Sequence, residues 1–232
     1  MKYLVSLAAG VILGVSLFAA FLIFNPFLTD RRLSPLSLSD AEVMSLSYSN
    51  VPSESIVFTN DGESRHQPHP EKVLQLWEAP IRLTSMTASV MRDARGQVAG
   101  IGVKFSSRSE RTRLLNGDAL VDSAWYIYLP GRGSLFIEQS ENYWPFIREV
   151  AFPAWRSSAN NWKGTWLGDM TAGPGALGTA MVTGGAGDLR GLDTQGVESL
   201  SARAHSADQG LVSAEGRILI ELPSIVADDA NQ

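Results

Sequence analysis

Hydrophobic and polar positions alternate along this chain in three distinct ways. From Leu4 to Phe24 all 21 residues are uncharged and most are apolar, and at 1.5 Å of rise per residue a helix of that length spans about 31 Å, one hydrocarbon core. The run predicts a membrane anchor over residues 1–32. Lys2 before an apolar run also fits a signal peptide, but the best cleavage site, Phe18-Ala19-Ala20, places a phenylalanine where a small residue belongs, so the anchor is read as uncleaved. Lys2 and the amino terminus nearly balance Arg31 and Arg32, which Asp30 offsets. The two-residue leader resembles an export signal, which puts the rest of the chain outside the cytoplasm: a single-pass protein of the inner membrane facing the periplasm or exterior.

Residues 33–71 carry no sustained period. Serines and prolines dominate 33–55, and Asn60–Glu71 is a run of turn formers with Pro68 and Pro70. The segment reads as a spacer, with one short helix over Ser39–Ser45 capped by Ser39 or Asp40.

From Lys72 to Gln232 the pattern is that of strands separated by turn clusters. Thr84, Met86, Ala88 and Val90 share one face of Arg82–Arg92, the tetrad Asp93-Ala94-Arg95-Gly96 supplies a hairpin turn, and Ala99, Ile101, Val103 and Phe105 share a face of the return strand. Further strands are predicted at Ala119–Leu129, Ser134–Gln139, Gly164–Ala172, Ala176–Thr183, Gly196–His205 and Leu211–Leu222. About eight antiparallel strands at hairpin spacing predict an all-β domain over 72–232, closed into a barrel or packed as a sandwich. One segment departs from period 2. In Asn142–Phe152, Tyr143, Ile147 and Ala151 recur at helical spacing beside Phe146 and Val150, and Pro153 ends the run, which predicts a short amphipathic helix.

Charge and composition narrow the function classes. The chain has 19 basic and 24 acidic residues, for a net charge of −5; residues 1–32 carry +2 and the remainder −7. Such a domain does not neutralise phosphates, so a nucleic-acid partner is excluded. The absence of cysteine rules out disulfides, thiolate metal sites and thiol catalysis.

Few motifs carry chemistry. Gly173-Pro174-Gly175-Ala176-Leu177-Gly178 has the letters of a dinucleotide fingerprint but leads into a strand, so it reads as a Pro-Gly turn and no cofactor is predicted. His66 and His69, flanked by Glu63 and Glu71, have a ligand-like spacing, but Pro68 and Pro70 deny them the helix on which that spacing converges, so no metal site is predicted. Glu198 shares a strand face with the apolar Leu200, Ala202 and Ala204, which points it inward as a general acid or base of raised pKa; a bulge near Gly196 would instead turn it outward. Tyr126 and Tyr128 are its expected partners in a catalytic reading. The helix over 142–152 sits among Trp144, Trp155, Trp162 and Trp166, four of the six tryptophans. It either plugs one end of the sheet structure or forms a lid over a lipophilic cavity, with Tyr143, Trp144, Phe146 and Trp166 as ligand-binding residues.

The stretch Gly178–Gly196 contains Thr183-Gly184-Gly185, then Gly187, Leu189 and Gly191. A strand that ends in glycines able to take positive φ, an apolar residue tucked under the turn and a further glycine form a structural turn built on Gly184, Gly185, Gly187 and Gly191. This pattern resembles the strand-turn signature of the allene oxide cyclase and dirigent barrel superfamily, with leucine at Leu189 where phenylalanine is commoner. The resemblance covers Gly164–Leu222. It implies an eight-stranded antiparallel barrel with an apolar interior, no cofactor and often trimeric assembly, hence a homo-oligomer; it does not carry over cyclase activity. Two functions follow as expectations. One is a membrane-anchored, non-catalytic binding or scaffold module with a lipophilic small molecule as ligand. The other is a cofactor-free isomerase, cyclase or lyase that uses an interior carboxylate.

Overall fold

The computed structural model describes residues 2–24, 42–51, 59–60, 63–64 and 84–222. Helix α1 (Lys2–Phe24) covers the uncharged run, and its described side chains, at 3 and 6–21, are all exposed. Among the described residues no helix is long and apolar enough to cross a membrane.

The remaining elements are almost all strands: β1 (Glu42–Ser49), a two-residue pair β2 (Thr59–Asn60) and β3 (Glu63–Ser64), β4 (Thr84–Arg92), β5 (Val98–Arg108), β6 (Leu120–Leu129), β7 (Gly133–Asn142), β8 (Asn161–Asp169), β9 (Ala180–Gly187), β10 (Asp193–Ser206) and β11 (Gly210–Leu222). Nine of them form one antiparallel sheet in the order β11-β1-β4-β5-β6-β7-β9-β10-β8, and a further β10–β11 pairing closes a ring through eight strands. The 14-residue β10 makes this possible: its first part pairs with β9, its later part with β8, and β11 runs along its other edge. The ring is thinnest at β1–β4, where only Ser47 and Arg92 are paired.

Alternation explains the interior. On β6, Ser123, Trp125, Ile127 and Leu129 are buried while Ala124, Tyr126 and Tyr128 are exposed. The buried positions of β1, β6, β7, β9 and β11 meet in one apolar cluster that includes Leu46, Trp125, Ile127, Leu135, Ile137, Val182 and Ile220. The predicted β4–β5 hairpin is present. The Asp93 carboxylate accepts the backbone N–H groups of Arg95 and Gln97 at 2.8 and 2.9 Å, and Gly96 takes the left-handed φ of +77° that closes the turn.

Three expectations are corrected. The segment Glu42–Ser49 is neither spacer nor helix but strand β1, in register with β11 from Glu42↔Leu222 to Ser49↔Glu215; Met44, Leu46 and Tyr48, alternating with serines, are buried, and a partner strand more than 160 residues away supplies the ladder. The helical run continues past Pro153. Trp144–Phe146 is α, Ile147–Ala151 is a π-type turn and Phe152–Arg156 is α again; proline has no N–H to donate to the preceding turn, and the widened turn accommodates that loss. Finally, β9 starts at Ala180, because Ala176–Gly178 forms a tight turn in which Leu177 adopts φ +57°.

Candidate functional site

Buried polar side chains gather inside the ring, each delivered by the alternation of its strand. Lys104 comes from β5, Ser123 and Trp125 from β6, Gln139 and Glu141 from β7, Glu198 from β10 and Tyr48 from β1. Register places Lys104 opposite Trp125 and Gln139 opposite Ser123. Glu141 is fully buried, Glu198 is 3% exposed and Lys104 8%.

The Lys104 ammonium lies 2.5 Å from Glu141 Oε1 and 2.8 Å from Glu198 Oε1, and 5.2 Å from the centre of the Trp125 ring. Every carboxylate oxygen is engaged. Glu198 Oε1 also accepts the Tyr48 hydroxyl, and Oε2 accepts Trp125 Nε1–H at 3.0 Å and the Gln139 amide. Glu141 Oε1 accepts Ser123 Oγ and Gln139 Nε2, and Oε2 accepts the Tyr143 hydroxyl at 2.8 Å. Thr171 joins the two halves: its hydroxyl donates to Gln139 Oε1 at 3.1 Å and accepts the Glu198 backbone N–H at 2.7 Å.

These contacts decide the charge states. Burial pushes the Glu198 carboxyl up, but the Lys104 ammonium and the hydrogen bonds from Lys104, Tyr48 and Trp125 hold it below its ordinary range. Burial pulls Lys104 down, and Glu198 foremost, with Tyr48 and Glu141, raises it well above the usual lysine value. Burial and the adjacent carboxylates raise Tyr48 and Tyr143, so both phenols stay protonated donors. The cluster thus holds one cation between two carboxylates, with its polar atoms satisfied from within.

Of the two orientations open to Glu198 the structure has the inward one, with no register shift at Gly196 to turn it out; it is a low-pKa carboxylate rather than one of raised pKa, because apolar neighbours in sequence are replaced in space by Lys104. Tyr126 and Tyr128 do not meet it. They are 39% and 47% exposed on the outer face, one strand position out of phase with Trp125 and Ile127; the tyrosine that reaches Glu198 is Tyr48. Lys104, Gln139 and Glu141 are not among the residues the sequence motifs single out, although period 2 carries a signal for two of them: Leu135, Ile137, Gln139 and Glu141 continue one face once β7 is extended past Gln139.

The four aromatic residues expected to bind a ligand lie at one end of the ring. Phe146 is buried edge-on against Trp166 at 5.3 Å, and with Val150 it packs on Met170, Leu200 and Ala202, so side chains fill the space beneath the helical segment. Tyr143 is committed to Glu141, Trp166 Nε1 donates to Glu149 at 2.9 Å, and Trp144 is half-buried with its Nε1 buried and unpartnered. Of the turn glycines, Gly187 and Gly191 have left-handed φ of +64° and +80°, whereas Gly184 and Gly185 do not. Gly184 is needed for a different reason: a Cβ there would stand 1.5 Å from the Leu189 carbonyl oxygen. Leu189 tucks into the main core, as predicted. His66 and His69 lie outside the described residues, and among the described residues no group of metal-binding side chains occurs.

The outer surface of β4–β7 and β9 has the opposite character to the polar cluster. Three cross-strand rungs run over it: Met86-Phe105-Ala124-Glu138-Met181, then Ala88-Val103-Tyr126-Phe136-Thr183, then Val90-Ile101-Tyr128-Ser134-Ala186. Only Glu138 is charged. The matching inward positions of β4 and β5 are Thr87, Ser89, Gly102 and Lys104, with the fully buried Met91 at the end of β4, so over the rungs' length these two strands are largely apolar outside and small or polar inside. A groove of about 620 Å³ crosses the first rungs, lined by Phe105, Phe136, Met181 and Pro174 together with the polar Arg111, Asp122, Glu138 and Ser140. Arg111 is paired with Asp122 at 2.7 Å.

No protein-family model matches this chain, and no curated protein matches it.

Proposed function

We propose that this chain is a membrane-tethered, non-catalytic binding or scaffold module whose recognition surface is the outer apolar face of β4–β7 and β9. In this reading the ring of eight strands is a closed barrel of the allene oxide cyclase and dirigent kind, α1 carries the membrane span over residues 4–24 of an anchor over 1–32, and the domain faces the periplasm or exterior. The observation that carries it is the three-rung apolar face with its groove. Half-exposed phenylalanine, tyrosine and methionine in adjacent strands form the kind of continuous patch that marks an interaction site, and a lipophilic small molecule fits the groove by the same chemistry. The interior supports the non-catalytic assignment, since every carboxylate oxygen of Glu198 and Glu141 already accepts a hydrogen bond from within the cluster.

The absence of native cysteine allows a direct test. In cells or native membranes, Phe136→Cys on the face is expected to react with a maleimide several-fold more slowly than Arg217→Cys on the opposite strand β11, and equally fast after denaturation. A membrane-impermeant maleimide added from outside labels Arg217→Cys if the domain is extracytoplasmic. Equal native reactivity at the two positions refutes the binding face.

The alternative, a cofactor-free isomerase, cyclase or lyase, rests on one observation: Glu198, Lys104 and Tyr48 form a buried acid–base group. It requires that the ring open to admit substrate, and the thin β1–β4 junction beside Tyr48 is where opening would start.

A further inference from the structure

We infer that the groove on the outer face binds a small organic cation, an amine or quaternary ammonium ion carried on an apolar body. The inference rests on the binding-module reading above and names the charge and chemical class of its ligand. The first rung creates the space. Ala124, its smallest residue, stands between Phe105 on β5 and Glu138 on β7, whose backbones are two strand spacings, about 10 Å, apart. Met181 faces Glu138 across the β7–β9 ladder and Phe136 lies two residues before it on the same strand face. Phe105, Phe136 and Met181 are 44–49% exposed, and Tyr126 backs Phe136 with ring centres 4.9 Å apart. At about 620 Å³ the groove falls within the roughly 300–1,000 Å³ of small-molecule sites.

Charge then selects the ligand. Among the described residues the groove is lined by three charged side chains, Arg111, Asp122 and Glu138. The first two neutralise each other: Arg111 meets Asp122 at 2.7 Å and also donates to Ser140, whose hydroxyl donates to Asp122 at 2.6 Å. Glu138 differs, because among the described residues no basic side chain or hydrogen-bond donor pairs with its carboxylate. The lining therefore carries a net single negative charge, placed among aromatic rings and a thioether. An anion would have to displace Asp122 from Arg111 and would still meet the uncompensated Glu138. A neutral apolar ligand would strip water from that carboxylate and give it no partner, which is costly. A cation gains the carboxylate, and the faces of Phe105 and Phe136 attract it once it comes within about 6 Å of a ring centre.

The geometry also supplies a reporter and a control. Thr183 lines the groove, is exposed and faces Phe136 across the ladder, so Thr183→Cys senses occupancy while Phe105, Phe136 and Glu138 stay in place. In the eight-strand ring, β11 lies four strands from β6 in either direction, which makes Arg217, 58% exposed at its side chain, a control on the far side.

The test uses the purified full chain in discs of a zwitterionic lipid and three water-soluble probes of similar body: benzyltriethylammonium, benzyl alcohol and toluenesulfonate. The cation is expected to slow maleimide labelling of Thr183→Cys several-fold and to leave Arg217→Cys unchanged, with weaker protection from benzyl alcohol and none from toluenesulfonate. Adding Glu138→Gln is expected to raise the half-protective concentration of the cation about two- to fivefold and to leave that of benzyl alcohol unchanged; Phe136→Leu is expected to act in the same direction. Both substitutions are at exposed positions, and unchanged circular dichroism of each variant separates loss of binding from loss of fold. Protection by benzyl alcohol or toluenesulfonate equal to that by the cation, or cation protection indifferent to Glu138→Gln, overturns the inference and leaves the face with a ligand of another class. If no probe protects, the inference also fails; the binding face then stands only if Thr183→Cys in native membranes labels more slowly than Arg217→Cys, and falls with it if the two label equally fast.

Discussion

Replacing Lys104 by methionine removes the single cation from between two buried carboxylates while keeping a side chain of similar length. In the native cluster the ammonium touches Glu141 at 2.5 Å and Glu198 at 2.8 Å. Removing one partner of a buried ion pair costs about 3–5 kcal/mol, because the remaining charge keeps its desolvation penalty and loses its compensation. For a domain of this size, at about 2–4 °C per kcal/mol, that lowers Tm by about 6–20 °C at pH 7. The sharper consequence is the sign of the pH dependence. In the wild-type chain the Glu198 carboxyl lies below its ordinary value of 4.5, so its contribution to stability is complete above that value and is lost as pH falls through the lower folded value; between pH 7 and pH 5 it is flat. Without Lys104, burial acts on Glu198 without the ammonium that opposes it, and the folded pKa rises above the unfolded one. Stability from this group is then greatest below the unfolded value and is lost as pH rises through the folded value. Lys104→Met is therefore expected to become more stable from pH 7 to pH 5, by up to about 1.4 kcal/mol per pH unit. Urea denaturation of the full chain in mild detergent at pH 5, 6 and 7, followed by tryptophan fluorescence, measures both quantities. A variant that stays flat, or loses stability toward pH 5 like the wild type below 4.5, refutes the electrostatic account of the cluster.

Three further substitutions test the packing. Gly184→Ala is expected to cost about 2–4 kcal/mol, since its methyl would overlap the Leu189 carbonyl oxygen, while Gly185→Ala, which meets only the Phe136 and Ser134 side chains at 2.9 Å, is expected to cost under about 1 kcal/mol; equal thermal shifts would refute the close-approach argument. Phe146→Ala is expected to cost about 3–5 kcal/mol with no change in uptake of an apolar fluorescent probe, because its ring fills the end of the ring structure against Trp166; a stable variant with reduced probe uptake would restore the lid.

Period 2 was sufficient to identify eight of the strands of the main sheet from Thr84 onward, and the Asp93–Gly96 turn and the helical run after Asn142 were legible from their own residues, since turn chemistry and amphipathic spacing are local properties. The same patterns located two faces on β4 and β5 but did not orient them. Met86, Val90, Ile101 and Phe105 line up on one side in the sequence; only the closure of the ring shows that this side is outside, with Thr87, Ser89 and Lys104 within. Strand β1 does carry a local signal, Met44, Leu46 and Tyr48 alternating with Ser45, Ser47 and Ser49, but its serine-rich outer face makes it resemble a spacer until β11 is seen to pair with it. The polar cluster lay beyond sequence reasoning. Glu198 among Leu200, Ala202 and Ala204 reads as a lone carboxylate with a raised pKa, and its actual state is set by Lys104, Tyr48, Trp125 and Gln139 from four other strands. Local pattern decides which residues can form a strand. Which charges share the interior, and which apolar face is left for a partner, is decided by register between distant strands, because the energy of a buried ion depends on neighbours that tertiary structure brings to within 3 Å.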